Sequence, residues 1–182
     1  MVFCSDRGNR TNLFRYDLDS GAITQITDLD GRQRIIPCVS EVNHEVYFWT
    51  ETHCLAVDLD SYAMRAIVDV DPRLPPSLIK SRAAPTADGK YIVAQFMEDL
   101  PQEQTGVSYA YSRFREYYEK RPLSQIVRIE IDTGKQDVIH EDRRYLGHVN
   151  ASPTQPDLLT FCHEGPWNLV DSPRFVGRAS GA

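Results

Sequence analysis

The stretch Leu13 to Asp28, LFRYDLDSGAITQITD, reads as two short strands joined by a tight turn. Apolar and polar residues alternate along its arms, the two-residue period of a half-buried strand. Asp19-Ser20-Gly21 supplies the turn, because Gly accepts a positive φ and Asp and Ser bond to nearby backbone. The same pattern returns at Leu55 to Val70, LAVDLDSYAMRAIVDV, and at Ile126 to Asp142, IVRIEIDTGKQDVIHED, where Asp132-Thr133-Gly134 makes the turn. Each copy predicts a β-hairpin. Asp17 and Asp58 stand 41 residues apart, and a unit of about 40 residues and four strands is the period of a propeller blade. Asp58 and Glu130 stand 72 residues apart, so this unit carries an insertion of about 30 residues beyond the period.

Other short apolar runs fill the gaps between hairpins. Val46 to Thr50 (VYFWT) is one, and Tyr91 to Phe96 (YIVAQF), introduced by the turn Pro85 to Lys90, is another. Leu158 to Cys162 follows a similar turn, Ser152 to Asp157, and Met1 to Cys4 reads as the second strand of a blade. The insertion covers residues 102–121 and contains YAYSRFREYYEKR, with Phe114, Tyr117 and Tyr118 at helical spacing. It predicts a short helix ending at Arg121, because Pro122 disfavours helical geometry just before it. Such an aromatic face packs on the parent fold in one reading and lids a binding face in the other.

The expected fold class is all-β, a propeller of WD40- or tolB-like blades in one partial domain over residues 1–182. About three and a half blades are expected, against the four to eight that typically close a ring. The sequence therefore reads as an internal portion of a larger propeller. The tail 172–182 is expected to be irregular, since VGRASGA continues no strand pattern.

A hydrophobic content of 41% and a charged content of 25% are those of an ordinary globular chain. The formal net charge of -6 argues against a nucleic-acid partner, which needs a basic stripe. An anionic ligand would have to be held by local arginines, since the whole field repels it. Cys4, Cys38, Cys54 and Cys162 have no metal-binding spacing and read as small buried hydrophobes in a reducing compartment. No apolar run approaches the roughly 20 residues of a membrane span, and MVFCSDRGNR lacks a signal-peptide pattern.

Chemistry concentrates in Tyr145 to Asp171, YLGHVNASPTQPDLLTFCHEGPWNLVD. His148 lies on the approach to a buried strand, and His163 and Glu164 lie at its exit, where a rigid β scaffold presents polar groups. His148 is expected either to face the central channel and touch a ligand, or to bond structurally to a neighbouring blade. His163 and Glu164 either line the substrate face or orient other groups, and Glu164 alternatively bonds turn amides. Trp167 either stacks on a sugar ring or packs in the core. Solvated surface is the reading for His44, His53 and His140, and the pair Arg143-Arg144 reads as a solvated turn with an anion site as the alternative. Tyr16, Tyr47, Phe48, Trp49 and Tyr91 are assigned to the blade core.

The elements Leu146-Gly147-His148, Phe161-Cys162-His163-Glu164-Gly165-Pro166 and Leu169-Val170-Asp171, with Arg113-Phe114-Arg115-Glu116-Tyr117-Tyr118, resemble oligogalacturonate lyases. The resemblance covers most of Met1 to Asp171. It implies a cytoplasmic seven-bladed propeller of pectin breakdown. The activity implied is β-elimination on short galacturonate oligomers, in particular unsaturated digalacturonate. It also implies a divalent metal, usually manganese, held by histidines and a glutamine, with a histidine base and an arginine at the substrate carboxylate. That arginine maps onto Arg174, one residue later than the family pattern places it. The metal ligands and the base belong to later blades of the family. This chain is thus expected to hold no complete metal site and to show no turnover by that route. The alternative is a non-catalytic tolB- or WD40-like module that binds a protein partner.

Overall fold

Runs such as Val46-Tyr47-Phe48-Trp49 have no polar alternation because both faces of the strand are covered. Tyr47 and Trp49 point into one hydrophobic cluster and Val46 and Phe48 into another. The computed structural model describes residues 1–69, 82–98, 114–166, 168–170 and 175–178. Their strands form four antiparallel sheets, stacked face to face in chain order. The first holds β1 (Val2–Ser5), β2 (Asn12–Tyr16) and β3 (Ile23–Gln25). The second holds β4 (Cys38–Ser40), β5 (Glu45–Trp49), β6 (His53–Asp58) and β7 (Met64–Asp69). The third holds β8 (Ala84–Pro85), β9 (Tyr91–Met97), β10 (Ser124–Glu130) and β11 (Gln136–Asp142). The fourth holds β12 (Leu146–Ala151), β13 (Leu158–His163) and β14 (Phe175–Arg178).

This is the blade repeat read from the hairpins. β6–β7 and β10–β11 follow β2–β3, and β1 occupies the second-strand position, as expected of Met1 to Cys4. The first strands β4, β8 and β12 touch one another in succession, which places them along the inner edge of the arc.

The turn chemistry explains the hairpins. The Asp17 carboxylate accepts bonds from the Asp19 and Ser20 amides and the Ser20 hydroxyl at 3.2, 2.8 and 2.7 Å. Asp58 repeats the arrangement with Asp60 and Ser61 at 3.1, 2.7 and 2.7 Å. The next position is left-handed in each hairpin: Gly21 at φ 73, Tyr62 at φ 59 and Gly134 at φ 69. At Gly134 the need for glycine is double, since a Cβ there would stand 2.6 Å from the Ile67 carbonyl oxygen of the preceding sheet.

Three cores lie between sheets. Leu13, Ile26 and Leu29 meet Ile35, Val46, Phe48 and Val57 between the first and second. Tyr47, Trp49, Cys54 and Ala56 meet Ile92, Ala94, Phe96, Val127 and Ile129 between the second and third. Val93 and Ile126 meet Leu146, Val149, Leu159 and Phe161 between the third and fourth.

The expected helix is α1 (Phe114–Lys120), and Arg121 leaves it at φ 49 ahead of Pro122. The rest of the 102–121 insertion lies outside the described residues.

Several expectations are corrected. The segment 172–182 contains β14, paired with β13 from Leu158↔Arg178 to Phe161↔Phe175. The open edge of β13 recruits backbone donors and acceptors whatever the side-chain pattern. Tyr47, Phe48 and Trp49 are buried, whereas Tyr16 and Tyr91 are half-buried, with Arg128 set 4.8 Å over the Tyr91 ring. Among the cysteines only Cys54 is buried, and Cys4 is exposed on an edge strand. His140 is half-buried with its ring 5.0 Å from that of Phe161, because β11 leans over the fourth sheet.

Two stability measurements follow. Gly134→Ala meets both the left-handed backbone and the Ile67 carbonyl, and is expected to cost about 3 kcal/mol in urea unfolding. Gly21→Ala meets nothing closer than the Tyr16 hydroxyl at 3.9 Å and is expected to cost about 1 kcal/mol. The second concerns acid. The amide and hydroxyl of Ser20, and likewise those of Ser61, hold the Asp17 and Asp58 carboxyls below their ordinary range. Groups more acidic in the folded state favour folding above the unfolded carboxylate range and lose that contribution as pH falls through their folded pKa. Asp58→Asn is therefore expected to lose less stability than the unaltered chain between roughly pH 7 and pH 3.

Candidate functional site

The repeated topology gathers residues at one end of the sheets. The start of each inner strand and the end of the second strand lie side by side, as Leu146↔His163 shows in the fourth sheet. At this end stand Arg34 ahead of β4, Arg82 ahead of β8, and Arg143 and Arg144 ahead of β12, all exposed. The connection that carries α1 leaves β9 at the same end, where Met97 pairs with Ser124.

His148 is set by a bulge. Gly147 pairs with Cys162 and Asn150 with Thr160, so His148 and Val149 together face Phe161. A bulge redirects a side chain that a regular strand would point elsewhere. His148 takes φ 50, and its carbonyl accepts a bond from the side-chain Nδ2 of Asn150 at 2.7 Å. Left-handed backbone at a non-glycine residue persists only where the surroundings hold it. The imidazole is 75% exposed, and its Nε2 lies 3.1 Å from Oε1 of Glu164, which is only 13% exposed. This partner is on the same sheet, so the alternative of a bond to a neighbouring blade is not what is seen.

Glu164 sits in a place made for it. A Cβ on Gly147 would stand 2.6 Å from Glu164 Oε1 and 2.7 Å from its Cγ. The Glu164 amide bonds to the Tyr145 carbonyl at 2.8 Å. Burial raises the Glu164 pKa, and His148 opposes the shift. Tyr145 is also raised, by burial first, then by Glu164 and Tyr117, with the Arg34 guanidinium opposing. Arg34 is thus within electrostatic reach of the fourth sheet from the second.

His163 has a different setting. Arg144 Nη1 lies 3.2 Å from its Nδ1, and Asp142 Oδ2 lies 3.4 Å from its Nε2. A guanidinium only donates, so Nδ1 is the acceptor and Nε2 carries the proton toward Asp142. Burial, then Arg144, pushes the His163 pKa below its ordinary value. His163 is accordingly a neutral, oriented ring with only 12% of its side chain exposed.

The structure therefore brings His148 and Glu164 together and gives His163, at the end of the same hairpin, separate partners in Arg144 and Asp142. Trp167 and Arg174 lie outside the described residues. Arg144, read from sequence as part of a solvated turn, instead reaches His163. Asp142 and Tyr145 join the site unforeseen, and Tyr117 and Tyr118 reach it from the aromatic face read in the insertion. The signal that points to the tyrosines is the length of the insertion, which has to pack somewhere. His44 and His53 are surface groups paired with Asp60 and Asp69. Among the described residues no group of three or more His, Cys, Asp or Glu side chains is placed to hold a metal ion. With Nδ1 of His163 receiving Arg144 and Nε2 of His148 facing Glu164, these residues do not fit a manganese centre.

Glu164→Gln tests the electrostatics. A carboxyl with a raised folded pKa favours folding below its unfolded range and loses that contribution as pH rises through the folded pKa. The stability of Glu164→Gln relative to the unaltered chain is expected to increase as pH rises from roughly 4 to 7 in urea unfolding.

Comparison with known proteins agrees with this architecture. An oligogalacturonate lyase in complex with manganese superposes with a TM-score of 0.81 at 21% identity, covering 100% of this chain and 47% of that one. An oligogalacturonate lyase from Vibrio parahaemolyticus superposes with a TM-score of 0.80 at 24% identity, with the same coverage. TolB from Acinetobacter baumannii shares the fold with a TM-score of 0.60 at 14% identity, covering 96% of this chain and 37% of that one. An oligogalacturonide lyase of Pectobacterium atrosepticum is 34% identical over 62 residues, which are 34% of this chain and 16% of that protein. An oligogalacturonate lyase of Dickeya dadantii is 36% identical over 62 residues, with the same shares. The chain thus spans about half the length of the solved oligogalacturonate lyases. The family model for oligogalacturonate lyase matches residues 1–181, and the chain belongs to that family.

Proposed function

We propose that this chain supplies one wall of a site for short acidic uronate oligomers. The propeller to which it belongs would cleave galacturonate oligomers, in particular unsaturated digalacturonate, by β-elimination in the cytoplasm. The observation that carries this reading is His148, exposed in a bulge on the innermost strand and backed by a carboxylate. Arg34, Arg82 and Arg144 at the same end add local positive charge in a chain whose net charge is -6. That combination suits an anionic ligand held at close range and suits neither nucleic acid nor a membrane surface. No helix among the described residues is long and apolar enough to cross a membrane.

The chemistry sets what such a wall has to do. The proton on C5 of a uronate is weakly acidic because the adjacent carboxylate is negative. Elimination requires that charge to be neutralised, the proton removed and the 4-oxygen expelled. His148 and the arginines suit the first task. His163 does not suit the second, because its Nδ1 lone pair already receives Arg144. The described residues therefore bind and orient, and the base and metal of the whole propeller lie elsewhere.

Calorimetric titration of the chain with trigalacturonate, beside a neutral glucose trimer, tests the reading. Binding of the uronate alone is expected, weakened about 10-fold in His148→Ala. An ultraviolet assay on unsaturated digalacturonate with added manganese is expected to show no loss of absorbance. Equal binding of the neutral trimer, or no binding of either, overturns the proposal.

A further inference from the structure

The helix α1 belongs to the third sheet by chain order, yet its Tyr117 and Tyr118 side chains are spent on the fourth. The Tyr118 hydroxyl donates to the Leu169 carbonyl at 3.0 Å, across 51 residues of sequence. Its ring lies against Gly165, where a Cβ would stand 3.0 Å from Tyr118 Cδ2 and 2.9 Å from Val170 Cγ1. Tyr117, buried, sets its ring 5.1 Å from that of Tyr145. Tyr145 in turn accepts the Glu164 amide at 2.8 Å. Two adjacent tyrosines of α1 thus grip both ends of the β12–β13 hairpin, one just ahead of β12 and one just after Glu164.

This grip bears on the pair that faces the ligand. Glu164 is the residue before Gly165, and its carboxylate meets the His148 ring at 3.1 Å. A shift of the Gly165 turn would carry Glu164 with it and release a histidine whose left-handed backbone needs outside support. Where the second sheet joins its second and third strands by a three-residue turn between Trp49 and His53, the third sheet places this connection instead. A close fit of a ring against a glycine serves position, since the ring cannot move inward and the turn cannot move outward.

We propose that Tyr118 is a positioning residue, which holds the Glu164–Gly165 turn and through it fixes His148 toward the ligand. The inference rests on the acidic-oligosaccharide reading for its consequence in binding, and on geometry alone for its consequence in structure. Tyr118 touches no reacting atom.

The test uses the full 182-residue chain. The Glu164 amide and the His148 ring are followed by NMR in Tyr118→Phe, which removes only the hydroxyl. Gly21→Ala serves as a control that loosens a remote turn of the first sheet. Tyr118→Phe is expected to move both signals and to weaken trigalacturonate binding about fivefold, with a smaller loss of thermal stability than the control. The control is expected to leave both signals in place. Unmoved Glu164 and His148 signals in Tyr118→Phe, or the same movement in Gly21→Ala, overturn the proposal whatever binding does. Signals that move in a chain that binds no galacturonate uphold the brace and overturn the reading of the site.

Discussion

Everything in this chain depends on sheets that cannot bury both faces alone. Each of the middle sheets gives one face to the sheet before it and the other to the sheet after it. Val93 points forward into the fourth sheet's cluster while Ile92 and Ala94 point back into the second's. Face-to-face stacking removes apolar area from water on both sides at once, which is the main favourable term available to short strands. It also requires each middle sheet to have a neighbour on both sides, because successive residues of its strands face opposite ways.

The site follows from that order. Stacking repeats one strand topology, so the heads of the inner strands collect at one end without any residue specifying it. Arg34, Arg82 and Arg144, each ahead of an inner strand and far apart in sequence, are carried to that same end. A bulge in β12 then breaks the repeat locally and turns His148 outward, with Gly147 clearing the space that Glu164 fills. The departure from regularity is where the chemistry is, as is common at sheet edges.

Charge is divided by burial. The same hydrogen-bonded aspartate appears at two hairpin turns, where it closes the turn at the partly exposed surface. At the fourth sheet the acidic groups are partly enclosed, and each histidine has defined partners. His148 has a carboxylate, while His163 lies between a guanidinium and a carboxylate. One ring is presented and the other is locked, although the two look alike in sequence.

Much of the fold was legible in the chain by itself. Alternation, turn residues and the 41-residue spacing of Asp17 and Asp58 are local signals, and local signals determine hairpins and their number. The helix over Tyr117 and Tyr118 and the importance of the stretch from Tyr145 onward were legible for the same reason. What the sequence did not carry was which groups meet. That Arg144 bonds His163 and that residues 175–178 complete a sheet depend on how strands pair within a sheet, while the half-burial of His140 and the reach of Tyr118 to Leu169 depend on how separate elements lie on one another. Those contacts are decided by strand register and by the angle and separation of packed elements, quantities that no short window of residues records.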